Sequence, residues 1–204
     1  MNLVKTIVAF GLFLLVFACT AKTAPRSVKA ERTELPPPSS VQDRSPLKLP
    51  LVSPRVVVKK AERRLFLYSA DKLVRTYRIG LGLSPNSDKV RQGDRRTPEG
   101  EFYIFTKNNK SQFYLSLGVS YPNATHADRG LRDGLITKTQ HDAIMRALRN
   151  KKIPPQNTAL GGDIYIHGHG AGSDWTWGCV ALENEDIREL FDAITLGTAV
   201  TIEP

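Results

Sequence analysis

Short apolar runs with strand character open the region after residue 55. Arg55-Val-Val-Val-Lys59, Arg64-Leu-Phe-Leu-Tyr68 and the partly alternating Lys72–Ile79 are rich in β-branched, aromatic and leucine side chains, and each predicts a strand. Ser69 to Lys72 supplies the turn between the second and third, and Gly80-Leu81-Gly82 follows, where glycine suits a bulge or a close backbone approach. Pro85 to Arg96 is a polar, charged loop. Gly100–Phe105, Gln112–Val119, Gly162–His167 and Ala199–Ile202 read as further strands. The period changes in two places. Thr139–Arg149 sets Ile144, Met145 and Leu148 at helical spacing, with Thr137 or Thr139 as the cap and Pro154-Pro155 beyond the end. Asn184–Ile194 puts Ile187, Leu190, Phe191 and Ile194 on one face. Pro122 to Gly134 reads as a loop, and His126 and His141 as surface residues. Roughly seven strands and two or three helices predict a mainly β domain with helices at its edge.

The first third of the chain has a different character. One lysine precedes the apolar run Ile7–Ala18, which is short for a membrane span and has the length of a signal-peptide core. It ends in Val16-Phe-Ala-Cys19, which resembles a bacterial lipobox and makes Cys19 the candidate lipidation site. A cleaved signal without lipid and an uncleaved anchor are the alternatives, and all three take the rest of the chain out of the cytoplasm. Residues 19–54 are poor in large apolar side chains and carry Pro36-Pro37-Pro38, Pro46, Pro50 and Pro54, the composition of an extended linker with a reach of roughly 100 Å. The expected organisation is a signal peptide over 1–18, a lipidated cysteine and Pro-rich linker over 19–54, and a folded domain over 55–204. The expected location is the periplasmic side of the envelope, held by a lipid anchor. Thr20 and Ala21 lack the aspartate that would favour the inner membrane, so the outer membrane is favoured.

Hydrophobic residues make up 41% of the 204 residues, enough for a packed core. The net charge of +9 attracts anionic lipid or an acidic wall polymer, but a solvated basic surface accounts for it equally well. Lysine and arginine are spread out, with no long basic run and no basic–aromatic repeat, which argues against nucleic acid as a partner. The chain has two cysteines. If Cys19 carries lipid, Cys179 has no disulfide partner, and an unpaired thiol in an exported protein is a candidate for chemistry.

The chemistry concentrates in Ile164-Tyr-Ile-His167-Gly-His169-Gly-Ala-Gly-Ser-Asp174-Trp175-Thr176-Trp177-Gly178-Cys179. Two histidines leave a strand end into a Gly-rich loop that leads to the thiol. A thiol is a poor nucleophile until it loses its proton, and an imidazole nearby takes or holds that proton. Cys179 with His167 therefore fits acyl transfer through a thioester, and the tight turn at Gly178 suits N–H groups aimed at an oxyanion. His167, His169 and Cys179 also fit a three-ligand metal site, though with no clear fourth ligand. A purely structural Gly-rich loop is the third reading. Spacing alone leaves the first two level.

The region resembles the L,D-transpeptidase (YkuD-like) catalytic domain. Members carry a strand ending in His-Gly, then a Ser/Thr-x-Gly-Cys segment, here Ile166-His167-Gly168 and Thr176-Trp177-Gly178-Cys179. Upstream they carry a Thr-Pro-x-Gly-x-aromatic segment, here Thr97-Pro98-Glu99-Gly100-Glu101-Phe102. The resemblance covers about residues 55 to 203. It implies a β-sandwich or barrel-like domain with two or three flanking helices, acting on peptidoglycan stem peptides with neither cofactor nor metal. In that reading Cys179 attacks the bond after the third stem residue and His167 is the general base. The Gly168 carbonyl orients the imidazole, and the N–H groups of Gly178 and Cys179 form the oxyanion hole. His169, Trp175, Thr176, Trp177, Arg95 and Arg96 are candidates for substrate contact. The sequence departs from the common pattern at Trp177, where many members have His, at Ala181, where many have Arg or Asn, and in a short His167-to-Cys179 segment. These departures leave open a carboxypeptidase or amidase on the same scaffold, a non-catalytic wall-binding lipoprotein, and the metal reading.

Overall fold

The computed structural model describes residues 45–204. The signal peptide, Cys19 and the linker as far as residue 44 lie outside the described residues. In chain order the elements are β1 (Arg55–Lys59), β2 (Arg64–Ser69), β3 (Lys72–Arg78), β4 (Gly100–Ser111), β5 (Tyr114–Val119), α1 (Ala124–Arg132), α2 (Lys138–Arg149), β6 (Tyr165–His167), β7 (Val180–Ala181), α3 (Asn184–Ala193) and β8 (Ala199–Glu203).

The strands form one curled sheet in the order β3-β2-β1-β8-β4-β5-β6-β7. β2 alternates as its sequence does: Leu65 and Leu67 are fully buried while Phe66 between them is half-buried. β4 belongs to both halves of the sheet. Gly100–Tyr103 pair with β8, and the strand from Ile104 onward pairs with β5. Register shifts after Ile104 and after Asn108 bend it between the two. The sheet's ends meet beyond β3, where Gly80 and Ala181 exchange backbone hydrogen bonds of 2.9 and 2.8 Å. Gly82 then pairs with Thr176. The barrel-like expectation is thus met by a sheet whose first and last members are tied together.

Glycine is required at that seam. A Cβ on Gly80 would lie 2.3 Å from the Ser173 carbonyl oxygen, and one on Gly82 would lie 2.2 Å from that of Arg95. The glycine pair read as a close backbone approach serves as one.

The main core fills the curl, with Ile187, Leu190 and Ile194 from α3 and its C-terminus packed against Leu117, Ile166 and Leu182. Residues 45–54, assigned to the linker by composition, lie against the domain, with Leu47 and Leu51 packed on the core.

The loop expected over Pro122–Gly134 is instead the helix α1. Asn123 caps it, its side chain accepting the His126 N–H at 3.1 Å. The helix has little apolar surface of its own, which is why periodicity misses it. It buries only His126, Ala127 and Gly130, and Ala127 joins Ile136, Ile144 and Leu160 in a second, smaller cluster with α2. Of the two threonines considered for α2, Thr137 is the cap, in a reciprocal box with Gln140. His126 is not a surface residue: it is buried, and Nε2 lies 3.0 Å from Asp88. Asp88 also accepts from Arg129 and from the Glu99 N–H, both at 2.8 Å. Burial works against its ionisation, but these bonds hold the carboxyl down at about 2. This network fixes the polar loop before β4. No described helix is long and apolar enough to cross a membrane.

Candidate active site

His167 ends β6, paired with Ser116 of β5 on one side and Ala181 of β7 on the other. Its ring is buried, stacked on Phe113 at 4.6 Å and met edge-on by Trp175 at 5.5 Å. Nδ1 lies 2.8 Å from the Gly168 carbonyl. A carbonyl only accepts, so Nδ1 carries the proton and Nε2 is left as the basic nitrogen. Gly168 has no room for a side chain: a Cβ would lie 2.5 Å from Asn184 Oδ1 and 2.9 Å from the Phe113 carbonyl.

The loop from Gly168 to Gly178 is fastened from outside at several points. Asn184 Oδ1 accepts the His169 N–H at 2.9 Å, and Glu183 accepts that of Ala171 at 2.8 Å, so the start of α3 holds its first half. Asp174 accepts from the Leu81 N–H at 2.9 Å and is paired with the Arg63 guanidinium at 2.8 Å, which binds its second half to the β1–β2 turn. Thr176 closes the last turn. Its buried hydroxyl donates to the Cys179 carbonyl at 2.8 Å and accepts the Gly178 N–H at 3.1 Å.

Cys179 follows directly, half-buried at the start of β7. The thiol donates to the Asp163 carbonyl and accepts the Tyr165 N–H, each at 3.4 Å. Sγ and the imidazole share a cleft of about 500 Å³, but no hydrogen bond joins them among the described residues. Burial pushes the thiol up to about 11, with the Asp163 charge adding and the Tyr165 N–H opposing. Burial also lowers His167 below the usual histidine value, against the pull of the Gly168 bond. At neutral pH the resting pair is therefore a thiol and a neutral imidazole.

The other wall of the cleft comes from the β4–β5 hairpin, including Asn108, Ser111 and Phe113. Sequence reasoning misses this wall, since nothing in a polar hairpin tip signals that it folds over a distant cysteine. Asp163, which also lines the cleft, is equally silent.

Residues 53–202 match the family model of the L,D-transpeptidase catalytic domain (YkuD). The chain belongs to this family. Among its L,D-transpeptidase relatives is the probable L,D-transpeptidase YcfS of Escherichia coli, 30% identical over 158 residues. The match takes in 72% of this chain and 43% of that protein, so the chain spans less than half the length of this relative. Among solved structures, the helical cell shape determining protein Pgp2 from Campylobacter jejuni superposes with a TM-score of 0.48 at 22% identity, over 74% of this chain and 47% of Pgp2. The L,D-transpeptidase from Xylanimonas cellulosilytica gives 0.45 at 15% identity, over 78% of this chain and 64% of that one.

Within this L,D-transpeptidase domain the substrate-contact candidates divide. None of His169, Trp175, Thr176, Trp177, Arg95 or Arg96 is among the residues lining the cleft. Thr176 is a structural staple. Trp175 spends its indole N–H on the Gly170 carbonyl at 3.1 Å and supports the imidazole. Arg96 reaches the Asp88 carbonyl at 3.3 Å. His169 is exposed and touches Phe113 edge-on at 5.8 Å. Of the two N–H groups expected at the oxyanion hole, that of Gly178 is bonded to the Thr176 hydroxyl, while that of Cys179 meets no acceptor among the described residues. Among the described residues no three His, Cys, Asp or Glu side chains are grouped to hold a metal ion.

Proposed function

We propose that this chain is a cysteine-dependent peptidoglycan L,D-transpeptidase, with Cys179 as nucleophile and His167 as general base. The observation that carries the reading is an imidazole locked in one tautomer by Gly168, its basic nitrogen free, in the same cleft as the domain's one thiol. On entry of a tetrapeptide stem, rotation about the cysteine Cα–Cβ bond takes Sγ away from the Asp163 carbonyl. His167 Nε2 accepts the thiol proton as sulfur adds to the carbonyl carbon of the third residue. The oxyanion takes a hydrogen bond from the Cys179 N–H. Collapse expels the fourth residue as an amine, which receives the proton from His167, and leaves a thioester. An amine of a second stem then attacks the thioester, His167 again carries the proton, and the thiol is restored. The N-terminal pattern supports placing this domain at the periplasmic face of the envelope, tethered by lipid on Cys19.

The test is intact-protein mass spectrometry of the full chain, in mild detergent, with purified disaccharide-tetrapeptide. The expected result is a tripeptidyl adduct on Cys179 and crosslinked product. Tripeptide without crosslinks identifies a carboxypeptidase, and absence of any adduct at Cys179 removes the thiol mechanism.

The resting protonation states give a second prediction. Thiolate absorbance near 240 nm is absent at pH 7 and rises only toward pH 11, while kcat/KM holds down to a pH below the ordinary histidine value of 6.5. A thiolate signal at neutral pH that disappears in His167→Gln contradicts a neutral resting pair.

A further inference from the structure

Trp177 stands apart from the cleft. It lies two positions before the nucleophile, yet it is 69% exposed, an unusual state for one of only two tryptophans in the chain. The Arg95 guanidinium sits over its ring at 5.0 Å. Arg95 holds a φ of 58°, a left-handed conformation that costs a non-glycine residue of order 1 kcal/mol. The pairing of Gly82 with Thr176, and the Leu83 N–H bond to the Thr176 carbonyl at 2.9 Å, bring Leu83 alongside Trp177. Leu83 is itself 47% exposed.

The backbone behind these three side chains is clamped. The Arg95 carbonyl accepts the Ser84 N–H at 3.1 Å and presses on Gly82, and a Cβ on Gly178 would lie 2.7 Å from the Arg96 carbonyl. An exposed aromatic face, an apolar neighbour and a stacked cation are thus held on an ordered base, so a ligand loses little freedom in ordering them.

We propose that Leu83, Arg95 and Trp177 form a subsite for a pyranose ring of the glycan strand. The open face of an indole suits the apolar C–H face of a sugar, and a neighbouring guanidinium supplies donors for hydroxyl, acetamido and carboxylate oxygens. A peptide strand is a poorer occupant, because the flanking backbone is already paired between Gly82 and Thr176 and offers no free edge. The scale agrees, and here the inference rests on the proposed action on peptidoglycan stems. A lactyl group and three amino acids separate the sugar from the third-residue carbonyl, a reach of up to about 14 Å. Two residues of chain put the Trp177 Cα within about 7 Å of that of Cys179, and the indole extends farther.

The test is calorimetric titration of the full chain, in detergent, with the peptide-free disaccharide N-acetylglucosaminyl-N-acetylmuramic acid. Saturable binding is expected, weakened at least tenfold in Trp177→Ala and less in Trp177→Phe. Arg95→Gly, which relieves the left-handed strain, should bind more weakly while unfolding no more readily. Thermal unfolding of each variant checks the fold. Absence of disaccharide binding, or equal binding by Trp177→Ala, overturns the subsite. If tetrapeptide still acylates Cys179 in that case, the transpeptidase reading stands without it. Disaccharide binding with no acylation by any stem does the reverse.

Discussion

Replacing Cys179 by alanine should abolish the acyl adduct and lower transfer by about 10⁴-fold or more, because among the described residues no other thiol lines the cleft. Serine at the same position should be nearly as inactive. A hydroxyl is far harder to ionise than a thiol, and an imidazole whose basicity burial has already reduced is a weak base for it. His167→Gln should lose about 10² to 10⁴-fold, the usual share of a general base. All three variants should unfold close to the parent chain, since the thiol's own contacts are two long bonds of 3.4 Å and glutamine keeps much of the volume against Phe113. Full transfer activity in Cys179→Ala, measured on the same disaccharide-tetrapeptide, would falsify the thioester route.

Gly82→Ala should destabilise the domain by about 3 kcal/mol, at the upper end of overpacking effects. The added methyl meets the Arg95 carbonyl oxygen at 2.2 Å and the Gly178 Cα at 3.1 Å. Both obstacles are backbone, so no side-chain rotation relieves them. Relief has to come from moving the Arg95 backbone and Gly178, the latter next to the nucleophile, so activity should fall further than the loss of folded protein explains. Gly172→Ala is the control: it lies in the Gly168–Gly178 loop on the other side of the seam but has open space around it, and should change stability by less than about 0.5 kcal/mol. Denaturant unfolding of the two variants, with adduct formation measured on each, checks both halves. Equal stability for the two would remove the seam between Gly82 and Thr176 as a structural constraint.

Much of the mainly β architecture can be read from local pattern. β1, β2 and β8 are short runs of Val, Ile, Leu and Phe that have few other ways to be buried, and α2 and α3 carry apolar stripes at helical spacing. α1 is illegible for the opposite reason, since it is held by an Asn cap and by His126 and Arg129 bonded to a distant aspartate rather than by an apolar face. The pairing of His167 and Cys179 in one cleft follows from a motif. The side chains around them do not. Arg63, Asn184 and Phe113 reach the motif loop from three separate elements, and only tertiary contact reveals them. Thr176 shows the limit from the other side: its place beside the nucleophile suggests substrate, but a buried hydroxyl one turn from two unmet backbone groups closes the turn instead.

The strand order also fixes when the domain can exist. β8 is the final strand in sequence, yet it lies in the interior of the sheet, parallel to β1 on one side and antiparallel to β4 on the other. Until residues 199–203 are delivered, the N-terminal hairpins and the half bearing His167 and Cys179 have no strand between them. A chain that lacks residues 199–203 therefore holds Cys179 and His167 on a half-sheet with no strand to join it to β1.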